Sequence, residues 1–108
     1  MHERRVRWTE TAHVDLERIV DFIAEDSVEN AVAVLDRLEE RAEALHLAAE
    51  RGRVVPELQV VDVLQFRELL ERPWRIIYRI EPDQVLVLAV LDGRRDLHSL
   101  LLERLVRD

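Results

Sequence analysis

Apolar residues recur at helical spacing in two stretches of the first half of the chain. The first stretch repeats at intervals of four, three and four residues, at Ala12, Leu16, Ile19 and Ile23. The second repeats at intervals of four, three, four and three, at Ala31, Leu35, Leu38, Ala42 and Leu45. Each stretch is the apolar seam of an amphipathic helix. Because only a few polar residues separate them, the pattern predicts an antiparallel helical hairpin.

Residues suited to helix ends lie at the borders of these two stretches. Thr9 and Ser27 are predicted N-caps, because each hydroxyl can accept a hydrogen bond from a free amide in the first turn. Gly52 is the predicted C-terminal stop of the second helix. Before the first helix, residues 4–8 alternate enough to predict a short N-terminal strand.

The second half of the chain has the alternation and the turn residues of β-structure. It predicts three strands, at residues 66–71, 74–81 and 84–91, separated by two proline-containing turns. The last strand has no polar side chain from residue 85 to residue 91. We therefore expect it to be the central strand, covered on both faces.

Two further segments are less regular. Residues 53–64 are ambiguous, and Pro56 favours a loop with a strand-like tail. Residues 97–106 predict a short closing helix. The predicted fold class is α+β: an N-terminal strand, an antiparallel helical hairpin packed on a small antiparallel sheet, and a short C-terminal helix. A chain of 108 residues is expected to form a single domain, residues 1–108.

Composition narrows the function classes. The chain has no cysteine, which excludes a disulfide framework and a thiolate metal site. Its four histidines show no ligand spacing, so we expect neither a metal nor another cofactor. The N-terminus lacks the apolar segment of a signal peptide, and the longest apolar run is too short to span a bilayer. We expect a cytoplasmic protein with no membrane partner.

Charge is distributed unevenly along the chain, whose net charge is −7. Residues 10–50 contain twelve acidic residues and three arginines, whereas residues 51–108 contain ten of each sign. The acidic stretch coincides with the predicted hairpin and is best explained as its solvated outer face. All sixteen basic residues are arginine, and a guanidinium is a permanently charged planar fork suited to carboxylates and phosphates.

The arginines of the predicted sheet are the candidate functional residues. On the strand at residues 74–80, Arg75 and Arg79 share one face, and spacing alone does not decide which face meets the helices. They are candidates for cross-strand pairing with carboxylates, at Glu68, Glu71 or Asp83. Arg94 and Arg95 follow a glycine just past the last strand, where loops often carry function. Surface salt bridges to neighbouring aspartates remain the alternative for this pair.

Several segments, taken in order, resemble the RelE/ParE superfamily of bacterial type II toxins. They are WTETAHVDLERIVDFIAEDS, FRELL, PWRIIYRIE and VLAVLDGRRDL. The resemblance runs from about residue 5 to residue 97 and is strongest to the ParE or plasmid-stabilisation branch. It implies a strand, a helical hairpin and an antiparallel sheet, in agreement with the pattern above. It also implies a toxin that a cognate antitoxin protein neutralises.

The resemblance implies two alternative mechanisms. The RelE branch cleaves messenger RNA on the ribosome, and the residues here that match its catalytic set are Arg67, Arg75 and Arg95. His98 is a candidate general acid, but Leu69 replaces a second basic residue, and leucines occupy the region of the expected C-terminal tyrosine. The ParE branch inhibits DNA gyrase by protein contact and needs no such set.

Because the acid–base set is incomplete, we expect a gyrase inhibitor that is not an enzyme. The alternatives are a RelE-like, ribosome-dependent mRNA endonuclease and a non-toxic antitoxin-binding relative. In each case the resemblance implies a groove on the sheet that an acidic segment of the antitoxin occupies, giving a toxin–antitoxin hetero-oligomer. The expected partner-binding residues are Arg67, Arg75, Tyr78, Arg94 and Arg95.

Overall fold

The structure, a computed structural model, describes residues 2–93 of the chain. Its strands are β1 (Arg5–Trp8), β2 (Arg53–Val54), β3 (Phe66–Glu71), β4 (Trp74–Ile80) and β5 (Gln84–Asp92). Its α-helices are α1 (Glu10–Ala24), α2 (Val28–Glu43) and α3 (Pro56–Gln59). Two 3₁₀ turns, Ala44–His46 and Ala49–Arg51, connect α2 to β2. The predicted α+β fold class is confirmed. The closing helix predicted at residues 97–106 lies outside the described residues.

The five strands form one mixed sheet in the order β1-β5-β4-β3-β2. Three of the four strand pairs are antiparallel, but β1 pairs with β5 in parallel. The antiparallel pairing predicted for the sheet is present among β2 to β5, and the N-terminal strand adds one parallel pair. A hairpin turn forces an antiparallel pair, whereas β1 and β5 are joined by nearly the whole chain, so no turn fixes their relative direction.

The helical hairpin has the predicted caps. Thr9 Oγ1 accepts a hydrogen bond from the amide of Ala12, and Ser27 Oγ accepts one from the amide of Asn30, both at 3.1 Å. The predicted stop at Gly52 is wrong, because α2 ends at Glu43 and the 3₁₀ turns follow. Gly52 has an extended backbone with φ −76° and ψ 156°, so it does not form a left-handed helix cap.

The ambiguous stretch resolves into a strand followed by a helix. The strand, β2, comes at the start of the stretch, whereas the sequence predicted a strand-like tail at its end. Pro56 is the first residue of α3, a position where a missing backbone N–H costs nothing and the fixed φ favours the helix. A prediction based on Pro56 as a loop residue therefore missed this short helix.

Strand β5 is buried on both faces, as predicted, because two apolar clusters enclose the sheet. One cluster joins β5 to the seams of α1 and α2 and includes Leu16, Leu38 and Val87. The other lies on the opposite face, under α3, and includes Leu58, Ile77 and Leu88. Strand β5 is paired on both sides, although β4 occupies the middle of the sheet. Within residues 2–93, no helix is long and apolar enough to cross a membrane.

Candidate partner-binding surface

The two faces of β4 now have distinct environments. Trp74, Ile76, Tyr78 and Ile80 belong to the helix-side cluster. Ile77 belongs to the opposite cluster, so Arg75 and Arg79 also lie on the side away from the helical hairpin.

Arg67 lies on the other face of the sheet from Arg75. Its register partner across β3 and β4 is Tyr78, and directly opposed residues share a face. Arg67 Nη1 donates a hydrogen bond to the carbonyl of Gly52 at 2.7 Å, on the helix side. The expectation that Arg67 and Arg75 line one groove on the sheet is therefore wrong. Their separate roles in partner binding stay predictions.

Tyr78 is fully buried and uses its hydroxyl inside the protein. The hydroxyl donates a hydrogen bond to the carbonyl of Ala49 at 2.7 Å and accepts one from the amide of Gly52 at 2.9 Å. Burial raises the pKa of the phenol. A side chain with no exposed surface cannot line a surface groove, so the structure corrects this part of the prediction.

Arg75 lies in a buried ionic network on the face away from the hairpin. Its Nη1 and Nη2 donate to the two carboxylate oxygens of Glu57 at 2.6 and 2.7 Å. Its Nε donates to Glu68 Oε1 at 2.6 Å, and Arg53 Nε donates to the other oxygen of Glu68, also at 2.6 Å. The side chain of Glu68 is 0% exposed and that of Arg75 is 9% exposed. The cross-strand pairing of Arg75 with Glu68 is thus present, and α3 adds a second carboxylate.

The hydrogen bonds of the network stabilise the charged forms of Glu57 and Arg75. The hydrogen bonds from Arg75 hold the pKa of Glu57 below its ordinary value of 4.5. The hydrogen bonds to Glu57, followed by those to Glu68, raise the pKa of Arg75. Arg75 is therefore a neutralised structural cation, with all three of its nitrogens directed at carboxylates of the same chain.

The network predicts a specific loss of stability in acid. Because the folded state lowers the pKa of Glu57, its ion pair stabilises the protein above pH 4.5 and is lost as the pH falls through the lower, folded value. The Glu57→Gln variant should be less stable than the original protein at pH 7, and this difference should shrink as the pH falls below 4.5. Urea unfolding at several pH values measures it. A difference independent of pH would contradict the assignment.

Arg79 pairs with a different carboxylate from those predicted. Its Nε and Nη2 donate to Glu81 Oε2 at 3.2 and 2.8 Å, rather than to a neighbour across the strands. Both side chains are about a third exposed, so solvent screens this pair strongly. Arg79 is a local surface cation and contributes little to the buried network.

A surface pocket of about 360 Å³ lies beside this network. Its lining residues come from β2, from β3 and β4 with the turn between them, and from the end of β5: Arg53, Leu70, Arg72, Pro73, Trp74, Arg75 and Gly93. Arg72 is exposed, and its side chain makes no hydrogen bond or ion pair to any residue between 2 and 93. The amide of Gly93 donates to the carbonyl of Pro73 at 2.7 Å, which joins two of the lining residues. The predicted site residues Arg94, Arg95 and His98 lie outside the described residues.

Sequence reasoning missed two carboxylates that the structure uses. Glu57 follows Pro56, and a proline followed by an acidic residue is a helix N-terminal signal that could have placed it on α3. Asp15 was expected on a solvated surface, but its Oδ2 accepts a hydrogen bond from the amide of Val90 at 3.0 Å. Because the register of β1 with β5 ends at Val87, the carboxylate takes the place of a strand partner there.

Among residues 2–93, no cluster of His, Asp and Glu could hold a metal ion.

This arrangement of a helical hairpin on a mixed sheet is the fold of the RelE/ParE toxins. A family model described as the ParE toxin of the type II toxin–antitoxin system parDE matches residues 6–97. Toxin ParE3 of Caulobacter vibrioides is 30% identical over 102 residues, which cover 90% of this chain and 94% of that protein. The chain belongs to the ParE toxin family.

Two solved structures from toxin–antitoxin systems have folds similar to that of this chain. The chromosomal ParDE toxin–antitoxin system of P. aeruginosa contains a chain with 25% sequence identity and a TM-score of 0.68, covering 85% of this chain and 98% of that one. The toxin–antitoxin complex RelBE2 of Mycobacterium tuberculosis matches with 22% identity and a TM-score of 0.63, covering 85% of this chain and 93% of that one. At this identity the second match supports the fold alone.

Proposed function

We propose that this ParE-family toxin inhibits DNA gyrase by protein contact and that a cognate antitoxin neutralises it in the cytoplasm. Membership of the ParE toxin family supports the toxin role. The structural match at 25% identity comes from a ParDE toxin–antitoxin system, which supports an antitoxin as the partner in a hetero-oligomer. The family resemblance implies DNA gyrase as the target. The choice between gyrase inhibition and RNA cleavage rests on the environments of Arg75 and Arg67.

The ion-paired state of Arg75 is the observation that favours contact over RNA cleavage. A ribonuclease of the RelE type needs cations directed at the phosphate where charge develops. Here Glu57 and Glu68 already occupy the guanidinium of Arg75, and their carboxylates would repel a phosphate that approached it. Arg75 is therefore poorly suited to stabilise a phosphate transition state.

The position of Arg67 points the same way. A nuclease of the RelE type would need Arg67 and Arg75 at the same phosphate, yet these two arginines lie on opposite faces of the sheet. Side chains separated by a sheet cannot act on the same phosphate group. Inhibition by contact requires only a complementary surface, which does not depend on this pairing.

Induction of the protein alone in a bacterium tests this function. We expect filamentous growth with a DNA-damage response and loss of plasmid supercoiling, and we expect co-expression of the antitoxin to suppress both. The antitoxin should be encoded by a short neighbouring gene. Rapid arrest of translation with codon-phased cleavage of transcripts would instead identify a ribosome-dependent nuclease. Normal growth with folded protein present would indicate a non-toxic relative that only binds the antitoxin.

A further inference from the structure

We propose that the pocket beside the β3–β4 turn, hereafter the arginine pocket, binds an Asp or Glu side chain of the antitoxin together with an adjoining apolar residue. Its described lining is Arg53, Leu70, Arg72, Pro73, Trp74, Arg75 and Gly93. This inference rests on the proposed function, because the antitoxin supplies the peptide segment.

Within residues 2–93, the charges around the pocket leave one cation unbalanced. Of the described lining residues, three are arginines and none is a carboxylate. The two carboxylates behind the wall, Glu57 and Glu68, balance two of these arginines through the buried network. Arg72 is exposed and has no partner among residues 2–93, while the side chain of Arg53 is 59% exposed. The site thus matches a ligand that brings a single negative charge.

The walls between these cations are apolar. Leu70 is 36% exposed, and Pro73 and Trp74 are half-buried in the turn and the start of β4. A volume near 360 Å³ is at the small end of the range for ligand sites, roughly 300–1,000 Å³. It suits one or two side chains of a peptide, with the carboxylate at the arginines and an apolar neighbour against Leu70 and Pro73.

Arg75 has a positioning role in this site. All of its nitrogens already face Glu57 or Glu68, so it holds the wall in place and leaves contact with the ligand to Arg72 and Arg53. The hydrogen bond from the Gly93 amide to the Pro73 carbonyl holds two further lining residues together. A pocket formed before binding loses less conformational entropy when its ligand arrives, which favours affinity.

An acidic peptide fits the pocket better than a nucleic acid does. Proteins that bind single strands use several phosphate contacts along a basic groove, whereas the described part of this site offers one unbalanced charge. The hairpin segment, residues 10–43, carries eleven acidic residues and three arginines and would repel a polyanion. The test also includes an RNA.

The test uses the two tryptophans as internal reporters. Trp74 lines the pocket, while Trp8 lies in β1 at the far edge of the sheet, so their indole N–H signals can be followed separately by NMR. The full-length protein is titrated with the peptide acetyl-Leu-Gln-Phe-Asp-Leu-amide and with its uncharged counterpart, in which Asp becomes Asn. We expect the acidic peptide to shift the Trp74 signal and leave that of Trp8 in place. The uncharged peptide should bind about tenfold more weakly.

Two matched variants complete the experiment. Arg72→Ala should weaken binding of the acidic peptide about tenfold, whereas Arg37→Ala, an equal loss of charge on the exposed side of α2, should leave it unchanged. Equal binding of both peptides, an unaffected Arg72→Ala variant, or an unmoved Trp74 signal would overturn the proposal. A stronger Trp74 shift with a ten-nucleotide polyuridylate would overturn it in favour of an RNA site.

Failure of this inference is distinguishable from failure of the proposed function. If Arg72→Ala leaves peptide binding unchanged while the protein still inhibits gyrase, only the arginine pocket is refuted. If the acidic peptide binds through Arg72 while gyrase keeps its activity, the pocket stands and the gyrase assignment falls.

Discussion

Replacing Arg75 with alanine is expected to lower the free energy of unfolding by about 3 kcal/mol or more. The change removes the cation that Glu57 and Glu68 both share, and it leaves the fully buried carboxylate of Glu68 with only the exposed Arg53. A buried charge without a buried counter-charge is costly. Arg53, which is 59% exposed, does not replace Arg75, which is 9% exposed, as the partner of Glu68. Urea-induced unfolding followed by circular dichroism at pH 7 measures the loss.

Two comparisons make this prediction specific. Arg79→Ala removes the same charge from the same face of β4 but breaks only a partly exposed pair with Glu81, so it should cost less than about 1 kcal/mol. Replacing Arg75 with Met and Glu68 with Leu together should recover much of the stability lost by Arg75→Ala, because it removes the stranded charge. Equal losses for Arg75→Ala and Arg79→Ala would contradict the buried network.

Replacing Gly52 with alanine is the second change with a large expected effect, again a loss of about 3 kcal/mol. A Cβ atom at this position would lie 2.5 Å from the carbonyl oxygen of Glu68 and 2.5 Å from the hydroxyl of Tyr78. Both distances are far inside van der Waals contact, so the strand or the ring must move and weaken the two hydrogen bonds of Tyr78. The same unfolding measurement applies.

The second glycine provides the control. At Gly93 the nearest atoms to an added Cβ are 3.1 and 3.2 Å away, so alanine should be tolerated with a smaller loss. Combining Gly52→Ala with Tyr78→Phe should recover only part of the stability, because the Glu68 carbonyl still clashes. If Gly52→Ala unfolds at the same urea concentration as the original protein, the close approach at Gly52 is wrong.

Local patterns in the sequence were sufficient for most of the secondary structure. Thr9 and Ser27 cap their helices as predicted, and the three antiparallel strands fall within one or two residues of their predicted bounds. These features depend on neighbours a few positions away, which periodicity and capping chemistry report directly. Gly52 failed as a helix stop because its role depends on Glu68 and Tyr78, which are distant in sequence.

The candidate site was less predictable because it depends on register and face. The sequence placed Arg67 and Arg75 together among the partner-binding residues of one groove. Arg67 pairs with Tyr78 and therefore lies on the opposite face of the sheet from Arg75. Glu57, which lies on α3, binds Arg75 and makes it a structural cation. The fate of a charged residue on a strand depends on partners that arrive from other elements.

Titration of purified DNA gyrase with the purified toxin is the most direct test of the proposed mode of action. Supercoiling of relaxed plasmid should fall as the toxin approaches a stoichiometric ratio to gyrase and should recover when antitoxin is added. A parallel reaction with ribosomes and messenger RNA should leave the transcript intact. Full gyrase activity at excess toxin, with multiple-turnover cleavage of the transcript in the parallel reaction, would contradict inhibition by protein contact.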